Sequence, residues 1–349
     1  NVAPILAHGL VSGKLTVTME DDICYVTGNL IGSDSIVSLN SFMPDFKLLF
    51  ADTKAIVITD ITISIDKRVE FLWPNERFPI LRTNIDVGGM LTIKSDTLAE
   101  KFALTGTIEL RGGDLYYFQR SFYIKSGNLI FNESEMRFEP RLSIVAETRD
   151  KNQDGPVRIL ILIDDQPLTA FTPRIVSEPA LSQVEILSIL GQTFSGTPDD
   201  ETNKIPQVFL AATTDLLAQF SLYRRVERSV RNLLHVDMFS ARTQTLQNIV
   251  FQAINPNDEN NPNRVGTYFD NTTVLAGKYI GSDMFVQAMV STRYDKNKLD
   301  MGGISFEVDI GIELTSPLFN VRWDIKPQHE NTLWIQDTSI TIQKTWHLP

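Results

Sequence analysis

The stretch KFALTGTIELRGGDLYYFQRSFYIKSGNLIFN, residues 101–132, decides the fold. Phe102, Leu104, Ile108 and Leu110 share one parity, and Thr105, Thr107, Glu109 and Arg111 share the other. Successive side chains of a strand point to opposite faces, so this is a strand with one apolar and one wet face. Gly112-Gly113 interrupts the alternation and Leu115 to Phe118 resumes it. Phe122 to Ile124 and Leu129 to Phe131 then flank Lys125-Ser126-Gly127-Asn128. A four-residue turn there sets Ile124 opposite Leu129 and Phe122 opposite Phe131, with all four on one face. The expected unit is a meander of short antiparallel strands, apolar on one side and polar on the other.

The same texture extends outward. Leu15, Val17 and Met19 alternate with Thr16, Thr18 and Glu20; Val57, Ile61, Ile63 and Ile65 alternate with Asp60, Thr62, Ser64 and Asp66. Val157 to Ile163 is apolar on both faces, as a strand covered on both sides would be. Near Pro173 the texture changes. Ser182-Gln183-Val184-Glu185 is a capping box, and the apolar run up to Gly191 predicts a helix over 182–190. Apolar residues at three- and four-residue steps predict a second helix over 206–234, carrying Arg224, Arg225, Arg228 and Arg231. Strands then return over 246–253, and 274–280 pairs with 284–290 around Gly281-Ser282. Ile304, Phe306, Val308, Ile310, Ile312 and Leu314 form the longest alternation, with Glu307, Asp309 and Glu313 read as outward. Ile340, Ile342 and Trp346 repeat the pattern. The expected organisation is a β segment over 1–175, a helical insert over 176–240, and a C-terminal β segment over 241–349 that continues the same sheet.

Composition narrows the function. The chain has 349 residues and a formal net charge of −11. The acidic balance argues against nucleic acid, which needs a basic face. No apolar run reaches the ~18 residues of a membrane-spanning helix. One cysteine, Cys24, excludes an internal disulfide and a cysteine-built metal site. The four histidines are dispersed, and no P-loop, GxSxG or strand-coupled GxGxxG is present. Asp150 to Gly155 matches the first half of a calcium loop, but Ile161 stands where the bidentate glutamate belongs, so it reads as a turn. No catalytic constellation, cofactor or metal site is expected. The four arginines read either as a contact for lipid phosphates and a membrane surface or as a solvated, salt-bridged face.

Alternating strands ordinarily fill the core of a sandwich or barrel. Many short strands of one style, with aromatics on the same face, also fit a sheet curled into an open trough whose apolar face accepts acyl chains.

Several motifs carry a family resemblance. Gly112 to Phe118, Phe122 to Ile124 and Gly127 to Asn132 resemble the strand-turn pattern of TamB-type proteins of the AsmA-like group. Pro140 to Ile144 resembles their "P-x-L" strand, Ser177 to Leu190 their "S-x-P-x-L-(S)-x-x-E-I-L" helix, and Leu275 to Ile280 with Met284 to Val286 their "L-G-K-Y" hairpin. The resemblance runs from about Leu98 onward. It implies a mainly β fold: an elongated antiparallel sheet curled into an open, U-shaped groove (a β-taco), with the two helices as an insert closing or plugging it. It implies a periplasmic lipid carrier bridging the inner and outer membranes of a diderm bacterium. Such a carrier is not an enzyme, and its inner-membrane anchor lies outside this stretch. Phospholipid is the expected ligand and a BamA- or TamA-type barrel protein the expected partner, the alternative being a scaffold for outer-membrane protein insertion by β-augmentation. On this reading Phe102, Leu104, Ile108, Leu110, Phe122, Ile124, Leu129 and Phe131 line the lipid groove, extended by Ile304, Phe306, Val308, Ile310 and Ile312. Ile340, Ile342 and Trp346 meet the barrel protein. Ile108→Glu is then expected to remove bound lipid and leave the fold intact.

Overall fold

The structure, a computed structural model, describes residues 5–39, 56–76, 79–99, 101–117, 120–134, 139–152, 155–190, 227–242, 265–270, 272–281, 283–295, 297, 302–316, 319–326 and 337–343. The fold is mainly β, in two units. The first comprises Asn1–Thr148 with Val157–Phe220, the second Arg149–Pro156 with Ser221–Pro349.

The first unit is built on a sheet of eleven strands, of which the end of β9 from Arg149 and the first residue of β10 belong to the second unit. They are β1 (Ile5–Glu20), β2 (Ile23–Leu39), β3 (Ile56–Ile65), β4 (Val69–Trp73), β5 (Leu81–Ile85), β6 (Met90–Asp96), β7 (Lys101–Tyr117), β8 (Arg120–Ser134), β9 (Arg141–Lys151), β10 (Pro156–Pro167) and β11 (Arg174–Glu178). Helix α1 (Gln183–Ile189) follows, with the Ser182/Glu185 capping box formed as its sequence dictates. Two long strands, β2 and β7, frame the middle of the sheet. Between them lie two tiers: β3 with β6, and β4 with β5. The sheet is mixed, because β2 pairs in parallel with both β3 and β4, where alternation had suggested an all-antiparallel meander.

The opening stretch forms two long strands rather than four short ones. β7 runs through Gly112-Gly113 and β8 runs through Lys125 to Asn128, so the expected turn at 125–128 does not exist. Its place is taken by one-residue bulges. Against β5 the register slips at Gly112, and against β9 it slips at Lys125. A bulge flips which parity faces the core. In β7 the apolar side passes from Leu104, Ile108 and Leu110 to Leu115 and Tyr117. In β8 it passes from Phe122 and Ile124 to Leu129 and Phe131. Both strands carry their extra residue at the same level, so the β7–β8 register is undisturbed on either side of it, from Ala103↔Ser134 to Tyr117↔Arg120. Gly113 is required here: its φ is +90°, and a Cβ would lie 2.2 Å from the Arg82 carbonyl oxygen.

The sheet curls. Trp73 on β4 and Phe171, just past β10, lie five strand spacings apart, about 24 Å if the sheet were flat. Their ring centroids are 6.0 Å apart. The rolled part encloses the core, in which Phe71, Trp73, Leu81, Leu115, Phe122, Ile124, Ala146, Val157, Ile159 and Ile161 pack with Ile186, Ile189 and Leu190 at α1. Burial there pushes the Tyr117 phenol up to about 12.

The second unit is a six-stranded antiparallel sheet in chain order: β12 (Met238–Arg242), β13 (Thr272–Ile280), β14 (Met284–Tyr294), β15 (Ile304–Thr315), β16 (Asn320–Lys326) and β17 (Asp337–Gln343). Helices α2 (227–234) and α3 (Val265–Tyr268) belong to the same unit. Among the described residues this is a second sheet with its own strands, where the sequence pattern had suggested a continuation of the first. The expected strand over 246–253 and most of the helix over 206–234 lie outside the described residues; 227–234 is helical as expected.

Candidate functional site

Hydrogen-bonded partners on adjacent strands share a face, so register traces each apolar row across a sheet. In the first unit one such row reads Leu15, Gly28, Ile61, Ile93, Leu104. Its exposure falls from 50% at Leu15 to 2% at Leu104. Val11, Val17 and Met19 are also open on that face of β1, Leu10 and Ile31 are open on the other face, and the lone Cys24 sits half-buried beside Met19. Beyond β7 the sheet is closed. Leu104, Ile108, Leu110, Phe122, Ile124, Leu129 and Phe131 are each no more than 4% exposed, and Phe102 packs partly buried against them. The structure therefore brings the first eight sequence-named residues together, as the interior of a closed core.

The second unit inverts the expected sidedness. On β15, Asp309 and Glu313 are buried, and Glu307 is half-buried on the same side. Phe306 and Leu314 are each 47% exposed, and Ile304, Val308, Ile310 and Ile312 on the same side are half-buried. The apolar parity is thus the open one. Its rows each cross three strands or more. Val274, Val290 and Val308 form one; Ile312 continues to Trp323 and Ile340; Leu314 continues to Val321 and Ile342. Trp323, Ile340 and Ile342 are exposed as well.

Charge explains the inversion. Arg149 and Lys151 alternate at the end of β9 and meet the carboxylate side of β15. Arg149 Nη1 donates to Glu313 Oε2 at 2.8 Å and to Gln287 Oε1 at 3.3 Å, and its guanidinium carbon stands 4.0 Å from the Phe285 ring centroid. Lys151 Nζ donates to Glu307 at 2.8 Å and to Asp309 at 3.1 Å. Burial pulls the Lys151 ammonium down, yet hydrogen bonds to the two carboxylates outweigh it and its pKa is raised. The Glu307 carboxyl is held below its ordinary value, chiefly by the Lys151 hydrogen bond. Phe285 reaches this face over Gly277, where a Cβ would lie 2.3 Å from the ring. Arg149 and Lys151 were not singled out from sequence. The readable signal is that 149 and 151 share a strand face, as do 307, 309 and 313.

Arg228 and Arg231 lie half-buried on α2, and Arg231 donates to the Asp237 carbonyl at 3.3 Å. Leu233 and Leu234 at its end are exposed. Arg224, Arg225 and Trp346 lie outside the described residues. The Asp150 to Gly155 stretch behaves as a turn at its described positions: Asn152 accepts from the Gly155 amide at 3.0 Å. Among the described residues no group of side chains is arranged for a metal ion, and no helix is long and apolar enough to cross a membrane.

The family model for the TamB C-terminal domain matches residues 47–327, well over half of the chain. The chain belongs to the TamB C-terminal domain family. As a TamB-family chain it is an envelope protein of a transport and assembly group. The match covers β3 to β16 and so includes both the TamB closed core and most of the open sheet. None of the curated proteins matches the chain.

Proposed function

We propose that this chain holds phospholipid by its acyl chains on open apolar sheet surface and passes it through the periplasm between the inner and outer membranes. The observation that carries this is the open apolar side of β13–β17. Four strand spacings by the Phe306–Leu314 rise make a footprint of about 500 Å². That lies in the upper part of the range for the largest apolar patch a typical monomer leaves open, about 300–600 Å², a patch that is often functional. Ile304, Phe306, Val308, Ile310 and Ile312 are the contact residues, with Trp323 and Ile340 beside them. The mechanism is partitioning: each CH₂ removed from water is worth about 0.8 kcal/mol, while the headgroup stays in solvent.

The test is mass spectrometry of copurifying lipid with Ile310→Glu, which places a charge on a half-buried, apolar-facing position. Loss of bound lipid with an intact sheet supports the reading; unchanged lipid refutes it. A second reading, a scaffold for outer-membrane protein assembly, is favoured by β17. It pairs with β16 on one side and, among the described residues, forms the edge of its sheet. Strand addition there would engage an outer-membrane barrel assembly protein through backbone hydrogen bonds. Deleting 337–349 separates the two: lost barrel binding with retained lipid keeps lipid handling on the open face.

A further inference from the structure

The strand cations of the second unit are sorted between its two sides. Arg149, Lys151, Arg293, Arg322 and Lys326 lie on the carboxylate side, each ion-paired with Glu307, Asp309, Glu313 or Asp324. Among the described residues the open side of the sheet carries a single charged side chain, Lys278 on β13. Register sets it at the head of a row that continues Val286, Ile312, Trp323 and Ile340, from β13 across to β17. The next row, from Ile280 through Leu314 to Ile342, is apolar throughout.

The Lys278 ammonium is placed at the margin of that side. The segment between α2 and β12 is tied to β13 around it: the Asp237 amide donates to the Gly277 carbonyl at 3.0 Å, and the Tyr279 amide donates to the Asp237 carboxylate at 2.8 Å. Lys278 Nζ donates to the His235 carbonyl of the same segment at 2.7 Å. The side chain is exposed and has no carboxylate partner among the described residues. An ammonium carries three N–H donors, so two are left for an anion from outside. Lys278 and Ile340 are four strand spacings apart, about 19 Å in a flat sheet. One leaflet of a bilayer's hydrocarbon core is about 15 Å deep, half of ~30 Å. Acyl chains that start beside Lys278 therefore end near Trp323, three spacings or about 14 Å away.

We propose that Lys278 is the headgroup end of the open face: its ammonium takes the phosphate of a phospholipid whose acyl chains run across the strands towards β16 and β17. The occupant is argued from complementarity, one unpaired cation at the end of an apolar row against one anionic head on apolar tails. This rests on the reading of that face as lipid-bearing. A lysine that only ties β13 to the His235 carbonyl would leave lipid indifferent to its charge. Lys278→Gln separates the two roles, because the amide keeps a donor for that carbonyl and loses the charge.

Trp323 reports the lipid's direction. The chain with Trp323 as its one tryptophan, the other three changed to Phe, is incubated with vesicles of phosphatidylglycerol brominated either near the ester end or near the methyl end of its acyl chains. The vesicles are removed, and Trp323 emission and protein-bound lipid are measured. Bromine near the methyl end quenches Trp323 strongly, and bromine near the ester end quenches it weakly. Lys278→Gln retains about two- to fivefold less lipid at low salt, the effect of one exposed charge pair. The deficit closes at ~1 M salt, where the Debye length is about 3 Å. Equal or reversed quenching by the two bromine positions overturns the headgroup site. So does unchanged retention in Lys278→Gln at low salt, or a deficit that high salt does not close. A parent chain with no bound lipid refutes the lipid reading of the face itself, and is thereby told apart from a parent that binds lipid without regard to Lys278.

Discussion

Replacing Arg149 by Met should destabilise the second unit by about 3–5 kcal/mol, the usual consequence of removing one partner from a buried ion pair. The geometry supports the upper half of that range. Arg149 is 4% exposed, and the side chain of Glu313 that it contacts is 9% exposed. The substitution takes the guanidinium from a buried carboxylate, from the Gln287 amide oxygen and from the Phe285 ring. Cation–π contact alone is worth up to ~2 kcal/mol when desolvated. Met fills most of the volume, so the loss is electrostatic rather than a cavity. The double variant Arg149→Met/Glu313→Leu removes both charges and should come back to within about 1 kcal/mol of the parent, because paired hydrophobes replace buried ion pairs at little cost. Urea unfolding followed by Trp323 fluorescence measures both, with equal slopes required for comparison. A single variant within about 1 kcal/mol of the parent would refute the reasoning. A double variant as unstable as the single would do so too, because the penalty would then not come from the stranded carboxylate.

Stability should also depend on pH through Lys151 and Glu307. The Glu307 carboxyl is lowered from 4.5, so its contribution is present above that value and is lost as pH falls below it; Glu307→Gln should flatten this acid limb in urea titrations. The Lys151 ammonium is raised from 10.5, so its contribution is full below that value and disappears as pH climbs past it. Ile108→Glu buries an unpaired charge at a position 1% exposed and should prevent stable folding, whereas Ile340→Glu at 68% exposure should shift the unfolding midpoint little.

Ile108 shows what was legible and what was not. Its parity, its strand and its neighbours Leu104 and Leu110 are all readable from alternation, because side-chain direction in a strand is a local property. Whether that side is covered is not local, so a charge at Ile108 looked tolerable, whereas the burial of Ile108 predicts that it is not. The α1 cap was readable for the same local reason: Ser182 and Glu185 satisfy each other within one turn. The bulges were missed because Gly112-Gly113 and Lys125 to Asn128 have turn composition, and only pairing with β5 and β9 shows that the strands continue. The sidedness of β15 was missed because its counter-charges are remote. Arg149 lies 164 residues from Glu313, and Lys151 lies 156 from Glu307. The parallel pairing of β2 with β3 left no mark in periodicity at all.

The inverted strand β15 bears on function more than on stability. A sheet seeking only to bury apolar surface would turn Ile304, Phe306, Val308, Ile310 and Ile312 inward, each worth about 1.5–3 kcal/mol when fully buried. Here the inward side holds Glu307, Asp309 and Glu313, whose ion pairs with Lys151 and Arg149 roughly offset the desolvation they require. The arrangement therefore forgoes several kcal/mol of burial in order to leave an apolar side open. The open face is fixed by those charges, because turning β15 over would place three carboxylates on the apolar side and strand Arg149 and Lys151 without them. An acyl chain laid on that side recovers the forgone burial, and only while lipid is bound. Lipid should therefore raise the unfolding midpoint of the second unit, and Arg149→Met should weaken lipid retention without touching a residue that lipid contacts.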